Sequence, residues 1–337
     1  MTSQTTAPTV VVFAQETDAP VDAVVCELTE RGVAVFRADT SWFPNRLVLD
    51  AGLDATGRWT GALVTEHRRV DLEAITAVWY RDPAAFRFPD SLTDVERAYA
   101  HREARLGFGG VLAALPGVLW VNNPNRAVDA MFKPVQLATA AAGGLRVPAT
   151  LVTNDPAAVT AFAAANTDDG AESSKSGVVC KSFGSNAVTE GGRLKVAYTH
   201  RLTDADLADL RSVASTATQV QRWVDKSHEA RVIVIGRRMF TILIHAHSAA
   251  ARVDWRADYG ALTYELVDTP LDIERGLRAY MDILGLAYAA VDFAFDTDGR
   301  AWFLESNGSG QYGWLESRTG APISAALADL LTEGTSW

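Results

Sequence analysis

The sequence predicts an α/β chain folded as two or three lobes, and three observations carry that expectation. The first is a β-α-β opening. Val10–Ala14 is an apolar run, Asp18 caps a helix with Pro20 in its first turn and Gly32 at its end, and Val33–Arg37 is a second apolar run; such a succession builds parallel sheet. The second is length, because 337 residues exceed what one hydrophobic core usually organises. The third lies near the other end, where Ala290–Gln311 reads as two strands joined at Thr297-Asp298-Gly299.

Composition narrows the function classes. A 48% hydrophobic and 21% charged chain is that of a globular protein. A net charge of −10 without a basic run argues against nucleic acid as a partner. Cys26 and Cys180 are too few and too far apart for a disulfide framework or a zinc site, and the expected compartment is a reducing cytoplasm. No apolar stretch reaches the ~18 residues of a membrane span, and MTSQTTAPT lacks the basic start of a signal peptide.

After the opening, Arg46–Asp50 and Arg58–Glu66 read as a strand pair inserted in the first lobe, and Ala77–Tyr80 as a further strand ending in VWYRDP. Arg81 stands where α/β lobes place ligand-binding groups, at the carboxyl end of a parallel strand; a surface ion pair with Asp82 accounts for it equally well. Thr93-Asp94-Val95-Glu96 is a capping box that starts a long helix to about Leu115. Val118–Val121 is a short strand, and the first lobe boundary is placed after it, at Asn122. The expected division is 1–121, 122–215 and 216–337.

In the middle portion Lys133–Ala142 is helical up to Gly143-Gly144, and Asp155-Pro156 opens another helix. Asn166–Ser176 is polar and of low complexity, and reads as a mobile surface loop. Gly177–Phe183 is a strand with Lys181 inside it; a lysine in an apolar strand needs an anionic partner. Gly184-Ser185-Asn186 turns the chain into a hairpin, Ala187–His200, around Gly191-Gly192, and Asp204–Arg211 is a short polar helix.

In the last portion Gln219–Val224, Ala230–Gly236 and Met239–Ala246 are strands, Leu271–Leu284 is a helix ended by Gly285, and about Pro322–Leu331 is the final helix. His245 and His247 share a face, a pair without a third ligand and more often structural. In the hairpin, closure between Asp296 and Gly299 places Asp292 opposite Phe303 and one diagonal step from Glu305, with Asn307 continuing that face. Two carboxylates and an amide oxygen on one face suit Mg²⁺, which takes hard oxygen ligands and shares them with nucleotide phosphates. The alternative is a half-exposed hairpin with a polar outer face. Gly308-Ser309-Gly310-Gln311-Tyr312-Gly313 matches G-x-G-x-x-G, but only 24 residues follow it with no second strand, so a dinucleotide unit does not fit. There is no G-x-x-x-x-G-K-[ST] loop either. Two lysines facing two carboxylates across lobes describe a nucleotide held between them.

From about Asn122 to Gly313 the layout resembles the ATP-grasp ligases, which clamp ATP between a central and a C-terminal α+β lobe behind an N-terminal α/β lobe. The resemblance implies that Lys133 and Lys181 hold phosphates, that Gln221-Arg222-Trp223-Val224 is the adenine-binding hinge, and that Glu229 reaches the ribose. It implies that Asp292, Glu305 and Asn307 hold Mg²⁺, and that Arg231 and Arg256 stabilise the transferring phosphoryl group. Within that family the chain is most similar to the peptide-macrocyclising branch, the graspetide or microviridin-type synthetases, on VWYRDP, RVDWR and GQYGWLE. Asp82 stands where a second basic residue is expected, and Gly308 where that branch has Pro.

Membership would imply a ligase that phosphorylates Asp or Glu side chains of a ribosomal precursor peptide and joins them to Thr or Ser hydroxyls as esters or to Lys amines as amides. The resemblance implies that Arg81 and Asp254 contact that peptide, Asp254 either as a base or as the residue that orients Arg256. The hairpin Ala187–His200 and helix Asp204–Arg211 would dock its leader through Asp204, Asp206 and Asp209. A homodimer is implied. The alternatives are an ATP-grasp ligase that adds a free amino acid, and a peptide-binding relative without turnover.

Overall fold

The chain is described by a computed structural model covering residues 3–5, 7–167, 175–184, 187–190, 193–196 and 198–334. Its β-α-β opening forms as expected. Thr9–Ala14 lies between Ala34–Ala38 and Ile75–Arg81, with Leu119–Val121 at the outer edge, all parallel. The crossover helix Ala19–Glu30 begins where the Asp18 carboxylate accepts from the Val21 amide, and buries Val21, Val24 and Leu28. The strand pair Leu47–Leu53 and Trp59–Thr65 belongs to a second sheet that also contains Arg68–Asp71 and Ser3–Thr5. Helix Asp94–Ala113 has both bonds of its capping box, and its Phe108, Val111 and Leu112 fill a core with Phe13, Leu47 and Leu63.

The middle portion is a four-stranded antiparallel sheet of His200–Thr203, Lys175–Lys181, Thr218–Arg222 and Thr150–Thr153. Helix Pro156–Ala165 covers one face through Val159 and Ala163, against Val178 and Val220. Lys175 and Ser176, expected in a loop, begin the strand of Lys181; residues 168–174 of that loop lie outside the described residues. The hairpin pairs Ala187–Glu190 with Arg193–Val196, and Ser185, Asn186, Gly191 and Gly192 of its turns are outside them too. The strand at 218 stops at Arg222, so Trp223 and Val224 sit in the segment leaving it.

The last portion is a five-stranded antiparallel sheet in the order Leu262–Val267, Arg238–Ala246, Lys226–Ile235, Tyr288–Asp296, Ala301–Asn307. Helices Leu271–Leu284 and Lys133–Ala142 share one core with it, in which Leu137, Ala140, Leu277 and Tyr280 meet Val232, Val291 and Phe303. The helix that carries Lys133 is therefore anchored on the same sheet as the acidic hairpin. Gly276 lets Leu145, in the segment after the Lys133–Ala142 helix, pack closely on Leu271–Leu284, since a Cβ there would meet the Leu145 side chain at 2.3 Å. On the other face, helix Ile323–Glu333 packs against this sheet, the parallel sheet and helix Ala19–Glu30 at once.

Asn122 joins the first and last portions. It is 3% exposed. Its amide donates to the carbonyls of Tyr288 and Gly308 and accepts from the amides of Ala287 and Tyr288. All four hydrogen-bonding positions of a buried side-chain amide are thereby used.

Candidate active site

The acidic hairpin forms, with a register that differs from the expected one in two compensating ways. Its loop closes between Asp296 and Arg300, with Gly299 at φ +76°, so it holds three residues rather than two. A bulge between Asp292 and Phe293 then adds one residue on the return strand, leaving Phe293 opposite Phe303 and Asp292 opposite Glu305. Each one-residue shift alone would turn Glu305 to the other face; together they restore it. Asp292 and Glu305 face each other directly rather than diagonally, and Asn307 follows on the same face.

Four cationic side chains converge on this pair. Arg231 lies opposite Asp292 on the neighbouring strand and binds it with two bonds, Nε to Oδ1 at 2.7 Å and Nη2 to Oδ2 at 2.9 Å. Arg256 Nη2 donates to both Asp292 Oδ2 and Glu305 Oε1. Lys133 Nζ donates to Glu305 Oε2 at 2.7 Å. Lys181 is the fourth, and its charge also acts on Glu305. Arg256 and Arg231 lie over the Trp255 ring, at 4.4 and 5.0 Å from its centroid, which keeps both guanidinium planes in place. Asp254 orients Arg256: it caps the turn by accepting from the Arg256 amide and also accepts from the Thr199 amide of the middle portion.

The electrostatics follow from burial and these neighbours. Burial depresses the Lys181 ammonium below the usual lysine range, only partly offset by Glu305. For Glu305 burial works upward, but Lys181, Lys133 and Arg256 outweigh it and hold the carboxyl well below its usual range. Burial raises Glu229 despite its 2.7 Å contact with Lys226. Burial works against the Arg256 charge, yet Asp292 and Glu305 raise it above the usual arginine value.

These groups line one cavity of about 710 Å³, a size suited to a nucleotide. The structure brings together Lys133, Lys181, Gln221, Arg222, Trp223, Val224, Glu229, Arg231, Asp254, Arg256, Asp292, Glu305 and Asn307 on its walls. Gln221 is buried and its side chain donates to Thr150. The amides of Arg222 and Trp223 bond to Ala149 and Gly177 carbonyls. Sequence reasoning missed Lys226, which pairs with Glu229 and stands 5.0 Å from the Trp223 ring centroid. The run Asp225-Lys226-Ser227-His228 reads as a turn, yet Lys226 already begins a strand.

The implied peptide contacts fare differently. Arg81 does not line the cavity, and it is not a surface ion pair with Asp82. It is 1% exposed, donates from Nη1 to the Ser309 carbonyl and stands 3.7 Å from Asp18; the turn after Asn307 covers this strand end. Asp206 caps its own helix by accepting from the Thr203 hydroxyl and amide, which, with a smaller contribution from His200, hold its carboxyl at about 2. Asp209 is paired with Arg211. Asp204 opens the same helix and is exposed.

Among the described residues no three His, Cys, Asp or Glu side chains are arranged to hold a metal. The candidate donor set has two carboxylates and an amide. It fits Mg²⁺ nonetheless, because Asp292 Oδ1 and both Glu305 oxygens each carry a single arginine or lysine bond and keep a second acceptor direction. No helix among the described residues is long and apolar enough to cross a membrane.

Residues 9–127 match the family described as the MvdD pre-ATP grasp domain. Among solved structures, the chain is similar to a RiPP-associated ATP-grasp ligase of Chryseobacterium gregarium in complex with ADP and a leader and core peptide. The TM-score is 0.86 at 26% identity, over 96% of both chains. It is similar to the macrocyclase MdnC of Microcystis aeruginosa bound with precursor peptide MdnA, with a TM-score of 0.80 at 28% identity over 96% of this chain and 99% of that one. The macrocyclase MdnB of the same organism gives 0.75 at 26% identity, over 96% and 99%. No curated protein matches by sequence. The fold is the ATP-grasp fold, and the neighbours are RiPP-associated ATP-grasp ligases and microviridin-type macrocyclases.

Proposed function

We propose that this chain is an ATP- and Mg²⁺-dependent ligase that activates Asp or Glu side chains of a ribosomal precursor peptide as acyl-phosphates and closes them onto Ser or Thr hydroxyls or Lys amines. The observation that carries this reading is the Asp292–Glu305 pair, set in a nucleotide-sized cavity and ringed by Lys133, Lys181, Arg231 and Arg256. Neighbours that cover nearly the whole chain are bound to precursor, leader or core peptides.

In this reading Lys133 and Lys181 hold the α- and β-phosphates. Trp223 and Val224 form the adenine edge; of the amides at 222–224, two are already used within the protein, which points to that of Val224 for the base. Lys226 orients Glu229 for the ribose through their 2.7 Å contact. Asp292, Glu305 and Asn307 hold Mg²⁺, which neutralises phosphate charge when bound. Arg256 stabilises the charge that develops on the transferring phosphoryl group and on the acyl-phosphate, while Arg231 fixes Asp292 and Asp254 fixes Arg256. No side-chain nucleophile is required. The hairpin at 187–196 and the exposed Asp204 take the leader. The division at 121 and 215, a homodimer and a cytoplasmic location go with this reading.

The test is co-expression with short open reading frames beside the gene and intact-mass analysis of the peptide. Loss of one or more waters that requires ATP, Mg²⁺ and Lys181 supports the reading. An unchanged peptide, with ATP turned over only when free amino acids are supplied, refutes it.

A further inference from the structure

The cavity has five carboxylates on its walls: Asp82, Glu229, Asp254, Asp292 and Glu305. Four are paired with cations, Glu229 with Lys226, Asp254 with Arg256, and Asp292 and Glu305 with the cluster described above. Asp82 has no ion pair among the described residues; it is exposed and lines the cavity.

Its placement is specific. Strand Thr9–Ala14 has Ala34–Ala38 on one side and Ile75–Arg81 on the other. The gap between the last two connections is where an open parallel sheet receives ligands at its carboxyl edge. Asp82 is the first residue past that edge. It is also the one non-glycine residue with positive φ among those described, at +46°, a conformation that is uncommon outside glycine and found at functional sites. Three contacts hold the backbone there. Gln15 donates to the Asp82 carbonyl, Ala84 donates to Asp39, and Arg81 is buried against the Ser309 carbonyl. Arg81 thereby sets the Asp82 segment against the turn that directly follows Asn307, on the wall of the cavity.

A lone carboxylate on the cavity wall, beside the turn that follows Asn307, complements a cation, not another acid. We infer that Asp82 is the acceptor-side residue and that the acceptor is a primary ammonium, a lysine side chain of the peptide, so that the bond formed is an amide. This rests on the function proposed above. In the step, Asp82 takes one proton from the ammonium. The amine nitrogen attacks the acyl carbon, the carbon–oxygen bond to phosphate breaks, and phosphate leaves with the electron pair and the second amine proton. Asp82 then returns its proton to water.

Asp82→Asn is the informative variant, because asparagine tolerates the left-handed backbone and keeps the size while removing the charge. Two readouts are compared on the co-expressed peptide: water loss by mass, and acyl-phosphate formation trapped as hydroxamate with hydroxylamine. Links that survive mild alkali and map to lysine are expected in the parent protein. In Asp82→Asn, cross-linking falls at least tenfold while hydroxamate formation falls much less, and Asp82→Glu recovers part of the loss. Water loss whose links are all cleaved by mild alkali overturns the amine assignment and leaves the proposed function standing. Equal falls in both readouts, or no fall, overturn the role of Asp82. A parent protein that never removes water from the peptide overturns both.

Discussion

Arg231 and Asp292 face each other on adjacent strands and meet through two parallel hydrogen bonds, both side chains almost wholly buried. The pair is the fixed floor of the cavity. Arg256 and Lys133 reach the Asp292–Glu305 pair from more exposed positions, with 25% and 15% of their side chains accessible against 7% for Arg231.

Replacing Arg231 by Met should leave the Asp292 charge buried without its main partner. A loss of about 3–5 kcal/mol in unfolding free energy is expected, read by urea denaturation. Arg231→Lys should recover only part of it, because a lysine cannot reproduce the two-bond geometry. An effect below about 1 kcal/mol for Arg231→Met would show that the floor is not held by this pair.

Glu305 is held below the usual carboxyl range by three cations. A carboxylate depressed in the folded state contributes stability above its ordinary value, near ~4.3, and loses it as pH falls toward the folded value. Glu305→Gln should therefore cost about 2 kcal/mol at pH 7. The gap to the parent protein should narrow in unfolding curves recorded below about pH 4; a gap independent of pH would contradict this account.

Lys181 is depressed by burial, and anionic phosphates beside it would restore its charge. Binding of ATP should take up protons between the depressed value and the ordinary lysine range near ~10.4. Calorimetry in buffers of different ionisation enthalpy measures this uptake. It should vanish in Lys181→Arg, which stays charged throughout; the same uptake in the variant would assign it to another group.

Asn122→Ala removes four buried hydrogen bonds and leaves two carbonyls and two amides unpartnered. A loss of about 3 kcal/mol or more is expected from thermal or urea unfolding. The Gly308 turn should also loosen, which amide hydrogen exchange at residues 308–311 would detect.

Element positions that are punctuated by residue chemistry were legible. The helices Lys133–Ala142 and Leu271–Leu284 end at glycines, and the capping box at Thr93 marks its helix start. The hairpin register was not, because a three-residue loop and a bulge at Leu304 look in sequence like a two-residue loop and a regular ladder. The two shifts add to two residues, an even number that keeps the face, so the face assignment of Asp292 and Glu305 survived a wrong register. Arg81 was misread because only tertiary packing buries it: the turn after Asn307, far away in sequence, closes over its strand end. Asp82 showed as a departure from a resemblance, but its backbone conformation and its place on the cavity wall required the fold.

The helix Ile323–Glu333 rests on the first strands of the chain as well as on the last sheet. During synthesis, the opening β-α-β unit leaves the ribosome long before Ile323–Glu333, so that helix reaches the shared core of Val10, Val12, Val21 and Val24 late. Shortening the chain by its final two turns would therefore strip a shared core from both ends of the molecule, and would be felt first at Val10 and Val24 rather than at the cavity.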